Sequence, residues 1–117
     1  MKKGETRIAQ KRAKEVVQFF FKCLKEQDLK VSRLIVFGSQ AKGKATEESD
    51  IDIIIVSEDF NRKNIFKRAD MTKDAEIRTI KKFMVPLDII TMTPEEYEKK
   101  TSLTAGYARE GEVIYAN

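Results

Sequence analysis

The stretch Ser49-Asp50-Ile51-Asp52-Ile53-Ile54-Ile55-Val56 decides how this chain folds. From Ile51 to Val56 it is rich in β-branched residues and reads as a buried strand. Strand side chains alternate between faces, so Asp50 and Asp52 project from one face while Ile51 points to the other. Upstream, Arg33-Leu34-Ile35-Val36-Phe37 reads as another buried strand that runs straight into Gly38-Ser39. The glycine permits a sharp turn and a close backbone approach to a ligand. A serine that opens a short helix offers its hydroxyl and backbone N–H groups to a phosphate at the positive helix end. Two carboxylates side by side repel unless a cation lies between them. Magnesium meets that need, since it prefers oxygen ligands and binds through one or two carboxylates together with substrate phosphates. The two halves predict a nucleoside triphosphate site with its metal ions.

With 117 residues the chain is of common domain size, and residues 1–117 are expected to form one domain around one core. Lysine and arginine number 23 against 19 acids, a formal charge of +4, and the charged share of 36% is high for a globular domain. Basic residues interleaved this closely with acids form a solvated face, so nucleic-acid binding is not indicated. The absence of histidine removes that side chain as base, ligand or pH switch. The lone cysteine, Cys23, excludes an internal disulfide and fits a reducing compartment. It lies in an apolar helical run and reads as a small buried hydrophobe. No apolar run approaches the ~20 residues of a membrane span, and the basic N-terminus lacks a signal-peptide apolar region. A cytoplasmic location with no membrane segment is expected.

Between about Glu5 and Gln27, Val16, Val17, Phe20, Cys23 and Leu24 repeat at helical spacing against lysines and arginines, which predicts a first helix. Phe19 and Phe21 widen its apolar stripe. Gln40 to Glu48 reads as a glycine- and lysine-bearing loop that begins with one helical turn, and Ser57 to Asn64 as a polar connection. Ile65, Phe66, Ala69, Ile77, Ile80 and Met84 mark a second helix, with Thr72 as the point where it would break. Pro86-Leu87-Asp88-Ile89-Ile90-Thr91 is a third short strand. Thr93-Pro94-Glu95-Glu96 is a helix start on three signals: threonine as N-cap, proline at the first helical position, and glutamate three after the cap. A last helix is expected to end near Gly111, with Val113-Ile114-Tyr115 adding an edge strand.

Asp88 is the only acid in the third strand, among Leu87, Ile89 and Ile90. An ionised group in such a run is costly unless it is paired or metal-bound. With Asp50 and Asp52 it makes three carboxylates, enough to bridge two metal ions about 3.5–4 Å apart. The run Gly38-Ser39-Gln40-Ala41-Lys42-Gly43-Lys44-Ala45, then Ser49-Asp50-Ile51-Asp52, then Pro86-Leu87-Asp88-Ile89-Ile90 and Thr93-Pro94-Glu95-Glu96 resembles the nucleotidyltransferases of the DNA polymerase β superfamily, specifically the minimal nucleotidyltransferases. The resemblance covers most of the chain from Leu34 to Tyr115. It implies an α/β (α+β) nucleotidyltransferase fold, a small mixed β-sheet packed with helices. It also implies two Mg2+ ions per site and transfer of a nucleotidyl group from a nucleoside triphosphate with release of pyrophosphate. Carried onto matching positions, Asp50 and Asp52 hold both metals, and Asp88 holds the catalytic metal near the attacking hydroxyl. Gly38 and Ser39 grip the outer phosphates, and Ser49 caps or orients the aspartate strand. Many members carry arginines in the loop where this chain has Gln40 and Lys42, and Lys42 keeps the charge without the bidentate fork. Lys44 and Arg68 are further candidates for contacts to phosphates or acceptor, against the reading as ordinary solvated side chains.

Larger members add a second domain that helps bind base and acceptor, and 117 residues leave no room for one, so the missing walls are expected from another chain. Minimal nucleotidyltransferases are commonly paired with small helical HEPN proteins, and in some pairs the nucleotidyltransferase is an antitoxin that attaches AMP to a tyrosine of its partner. The resemblance therefore implies ATP as substrate, a HEPN-type partner, a homo- or hetero-oligomer, and AMP transfer to a protein hydroxyl. Two other readings stay open: neutralisation of a partner by contact without turnover, and nucleotidylation of a small-molecule hydroxyl.

Overall fold

Helix α1 spans Lys2–Glu26 in the computed structural model, which describes residues 2–37, 51–99 and 112–116. Along it Ala13, Val16, Val17, Phe20, Cys23 and Leu24 recur at intervals of three or four or their neighbours, and all are buried. The helix stops in a left-handed turn. Asp28 takes φ 61°, and the amides of Asp28 and Leu29 reach back to the carbonyls of Lys25 (3.0 Å) and Leu24 (3.2 Å). These two bonds satisfy carbonyls that the helix end leaves without partners, and aspartate tolerates this backbone region better than most residues. Leu29 then folds back into the cluster that holds Leu24.

The sheet follows from what comes next. Strands β1 (Arg33–Phe37), β2 (Ile51–Val56), β3 (Leu87–Met92) and β4 (Glu112–Ala116) form one mixed sheet in the order β3-β2-β1-β4. β1 is antiparallel to both β2 and β4, whereas β2 and β3 are parallel. A parallel pair needs a long crossover, and helix α2 (Ile65–Phe83) supplies it. The expected small mixed sheet packed with helices is therefore present, edge strand at 112–116 included. Ile53, Ile54 and Ile55 are each wholly buried, so β2 is covered on both faces, as a strand with a parallel neighbour usually is. On one face Leu34, Val36, Ile51, Ile53 and Ile55 join α1 and α2 in the main core. On the other, Ile35, Ile54, Val56 and Met92 form a smaller cluster roofed by Tyr97 of helix α3 (Pro94–Lys99). The remainder of the expected last helix, to Gly111, lies outside the described residues.

Helix α2 is continuous through Thr72 and shows a different buried face from the one its large apolar residues suggest. Thr72, Ala75 and Thr79 are buried, while Ile65, Phe66, Ile77 and Met84 are exposed, at 71%, 79%, 41% and 80%. Small side chains let α2 approach α1 closely, and the threonine hydroxyls are satisfied within the helix: Thr79 donates to the carbonyl of Ala75 at 2.8 Å, and Thr72 to those of Ala69 and Arg68. Phe19 meets Phe83 edge-on with centroids 5.7 Å apart, so α2 covers part of the wide aromatic stripe of α1. The helix starts at Asn64, whose Oδ1 accepts the amide of Lys67 at 2.8 Å. It ends at Met84, held left-handed at φ 54° with its amide on the carbonyl of Ile80. The polar connection from Ser57 to Asn64 holds a 3-10 turn over Glu58–Phe60, with the buried Ser57 hydroxyl accepting the Asp59 amide and Phe60 wholly buried. No helix among the described residues is long and apolar enough to cross a membrane.

Candidate active site

One end of the sheet gathers the chemistry. β1 leaves the sheet there at Phe37, and β2 and β3 both enter it there. Phe37, the last residue before Gly38-Ser39 in the sequence, is the antiparallel partner of Asp52. Asp52 and Asp88 are register partners in the parallel pair, about 4.8 Å apart along the hydrogen-bonding direction. Their parity places both on the sheet face that carries Ile54, Ile90 and Met92, away from α1 and α2. There the apolar run gives way to carboxylates: Ile54 and Val56 are sealed, Asp52 is half-buried and Asp88 is exposed. Asp50, Gly38, Ser39, Lys42, Lys44 and Ser49 lie outside the described residues. Among the described residues no group of three or more histidine, cysteine, aspartate or glutamate side chains is placed to hold a metal ion, and the strand register is what sets Asp52 beside Asp88.

Beside Asp88 a cleft of roughly 440 Å3 runs between α2 and β3. Ile65, Ala69, Thr72 and Glu76 line it from the helix, and residues 87–91 from the strand. Glu76 is the acid that sequence reasoning missed. It is half-buried, and burial first, then the nearby Asp88 charge, pushes its carboxyl above the ordinary carboxylate range. Glu76 lies four residues after Thr72 and three before Thr79 and so shares the inward side of α2, a side that the structure and not the apolar pattern reveals.

Arg68 is committed elsewhere. Its Nη1 and Nη2 donate to the two carboxylate oxygens of Glu96 at 2.9 and 3.3 Å, and its Nε donates to the carbonyl of Lys63 at 2.9 Å. The guanidinium also lies 5.9 Å from the Phe60 ring centroid. Arg68 is therefore not the ordinary solvated side chain that the sequence favours: it is a strut between α2 and α3. Glu96 closes the expected capping box as well, its Oε1 accepting the Thr93 amide at 2.8 Å while its own amide donates to Thr93 Oγ1 at 3.1 Å. The Arg68 bond, ahead of the bonds to Thr93, holds the Glu96 carboxyl below its ordinary value. This strut fixes α3 and the far end of β3, and with them the line on which Asp88 sits.

Comparison with known proteins gives the family and the fold. Residues 17–109 match the family described as the nucleotidyltransferase domain. Two proteins of Methanocaldococcus jannaschii, each named "Putative protein adenylyltransferase", are similar in sequence. One is 35% identical over 74% of this chain and 80% of its own length. The other is 25% identical over 84% of this chain and 67% of its own. In three dimensions the crystal structure of "a putative nucleotidyltransferase from Sulfolobus solfataricus" superposes with a TM-score of 0.72, covering 97% of this chain and 88% of that one at 19% identity, which shows a shared fold.

Proposed function

The chain belongs to the nucleotidyltransferase domain family, and from that premise we propose that it transfers AMP from ATP to a hydroxyl of a partner protein. The names of the two archaeal relatives support a protein acceptor. The observation that carries the reading is the register pairing of Asp52 with Asp88, which holds two carboxylates on neighbouring strands at the end of the sheet where β1 ends at Phe37.

The donor set fits a hard divalent cation. Asp52 and Asp88 offer only oxygen, from backbone that the sheet fixes. Magnesium held by Asp50, Asp52 and Asp88 would lower the acceptor hydroxyl's pKa and offset the charge that builds on the phosphates. Gly38 and Ser39 would hold the outer phosphates, Lys42 would add positive charge to them, and Ser49 would fix the start of β2. The acceptor oxygen forms its bond to the α-phosphorus in line, the bond from that phosphorus to the bridging oxygen breaks, and pyrophosphate leaves. The hydroxyl proton passes to the exposed carboxylate of Asp88 and from there to water. We take the acceptor to be a tyrosine of a HEPN-type toxin, with this chain as its antitoxin in a cytoplasmic hetero-oligomer. The lone buried thiol of Cys23 fits that reducing compartment.

The test is incubation with magnesium and α-labelled nucleoside triphosphates, with and without the protein encoded next door, followed by intact mass measurement of both chains. One AMP added to the partner, lost in Asp52→Asn and in Asp88→Asn, is the expected result. A stable complex that inhibits the partner equally well with both aspartates replaced, and no AMP on either chain, would sink the transferase reading in favour of neutralisation by contact.

A further inference from the structure

The outer edge of β3 carries information that the transfer reaction leaves unused. The carbonyl of Pro86 accepts the amide of Ile51, and the carbonyl of Met92 accepts the amide of Ser57. Residues 86, 88, 90 and 92 therefore aim their backbone groups at β2. By the two-residue period of a strand, Leu87, Ile89 and Thr91 aim their N–H and C=O groups outward. Among the described residues nothing pairs with that row, because β3 is an edge strand of the sheet. Such a row is a template for one more strand, and the α2–β3 cleft runs along it.

We propose that this edge docks an extended segment of the acceptor polypeptide, one that carries a lysine or arginine immediately next to its hydroxyl-bearing residue. The proposal rests on the reading that the acceptor is a protein. Charge complementarity selects the occupant: among the described residues Glu76 and Asp88 line the cleft, and no basic side chain does. Geometry sets the spacing. An acceptor residue beside Asp88 with its side chain on the same face points its hydroxyl at the Asp52–Asp88 pair. Its immediate neighbours in sequence then point to the opposite face, where Glu76 of α2 waits. At the far end the cleft is apolar, with Ile65 exposed at 71%, and accepts a hydrophobic residue. From Glu76 to Ile65 is about 16 Å along the helix, which about five residues of extended chain would cover. A second copy of the chain is the poorer occupant. Twofold pairing of β3 with itself would bring a second Glu76 and Asp88 to the same acidic edge and, among the described cleft residues, no basic side chain to meet them.

Two synthetic seven-residue peptides test this, each with a central tyrosine among β-branched residues, one with lysine and the other with glutamate beside the tyrosine. Amide exchange is followed by NMR on the full chain. The lysine peptide should slow exchange at Leu87, Ile89 and Thr91 while leaving Asp88 and Ile90 as they were, and should bind roughly tenfold more tightly than the glutamate peptide. Thr91→Pro, which deletes one outward N–H at a position where an edge strand tolerates proline, should weaken docking. Glu76→Lys should reverse the preference between the peptides without altering the edge. No slowing at these three amides with millimolar peptide overturns the proposal. So does AMP transfer to the natural partner that is unchanged in both variants, an outcome that leaves the transferase reading intact. Docking with the expected exchange pattern but no AMP on any hydroxyl does the reverse. A homodimer that Thr91→Pro dissociates would give the edge to a second copy and overturn the proposal too.

Discussion

Replacing Glu96 by alanine should remove more stability than a half-exposed surface glutamate ordinarily would. The carboxylate accepts the Thr93 amide at 2.8 Å and both Arg68 guanidinium nitrogens at 2.9 and 3.3 Å. Losing the cap bond costs about 1 kcal/mol. The ion pair itself is discounted for solvent screening, because 48% of the Glu96 side chain is exposed, and contributes about 0.5–1 kcal/mol. Arg68 has only 11% of its side chain exposed, so stripping its partner leaves a poorly hydrated cation with one carbonyl, at a further cost of about 1 kcal/mol. The sum is roughly 2–3 kcal/mol, a urea midpoint lowered by about 1–2 M for a domain of this size. A double-mutant cycle with Arg68→Met and Glu96→Gln should return a coupling of at least about 0.5 kcal/mol. The pH dependence gives an independent check. The folded carboxyl titrates below the ordinary value of 4.5, so between the two values the unfolded chain binds more protons and stability falls as pH falls through that window. Glu96→Gln should flatten that part of the profile. A Glu96→Ala variant within about 0.5 kcal/mol of wild type, with no change in its acid limb, would refute the strut.

Met84 sits at φ 54° with a side chain 80% exposed, so Met84→Gly should stabilise the fold by about 1 kcal/mol, read as a raised thermal midpoint. Phe60 is wholly buried from within a polar connection, and Phe60→Ala should destabilise by about 3–5 kcal/mol in denaturant titration. Burial pushes the Cys23 thiol up, so an aromatic disulfide reagent should label it only at the rate of global opening and immediately once the chain is unfolded.

The strands were legible because they obey one simple rule. Arg33–Phe37 and Ile51–Val56 are short, largely apolar runs whose length excludes a helix, and Asp52 is the one acid in them, half-buried among buried neighbours. The capping box at Thr93 and Glu96 was legible for a similar reason, since its four residues carry the whole instruction locally. Helix α2 was legible in extent but not in orientation. Its most apolar residues, Ile65, Phe66 and Ile77, face solvent, and its buried seam is made of Thr72, Ala75 and Thr79, whose small volume fits a close helix contact that only the neighbouring α1 defines. Glu76 escaped notice for the same reason, because the side of α2 that meets β3 is a tertiary fact. Phe60 was a single aromatic in a polar stretch, with no period to betray it. The acidic pair, by contrast, required only that two strands lie side by side, and a parallel register brought Asp52 and Asp88 together.

The position of β1 in the sheet has a consequence for the order in which the enzyme is built during synthesis. β1 lies between β2, made shortly after it, and β4, whose residue Ala116 pairs with Arg33. A nascent chain on the ribosome can form α1, the β1–β2 hairpin and the β2–α2–β3 crossover from contacts among residues already translated, but β1 keeps one bare edge until residues 112–116 emerge. The strand that delivers the chain to Gly38-Ser39 is thus clamped on both sides only in a late, long-range closure. If Gly38-Ser39 grips the nucleotide as proposed, that grip should tighten only after this closure.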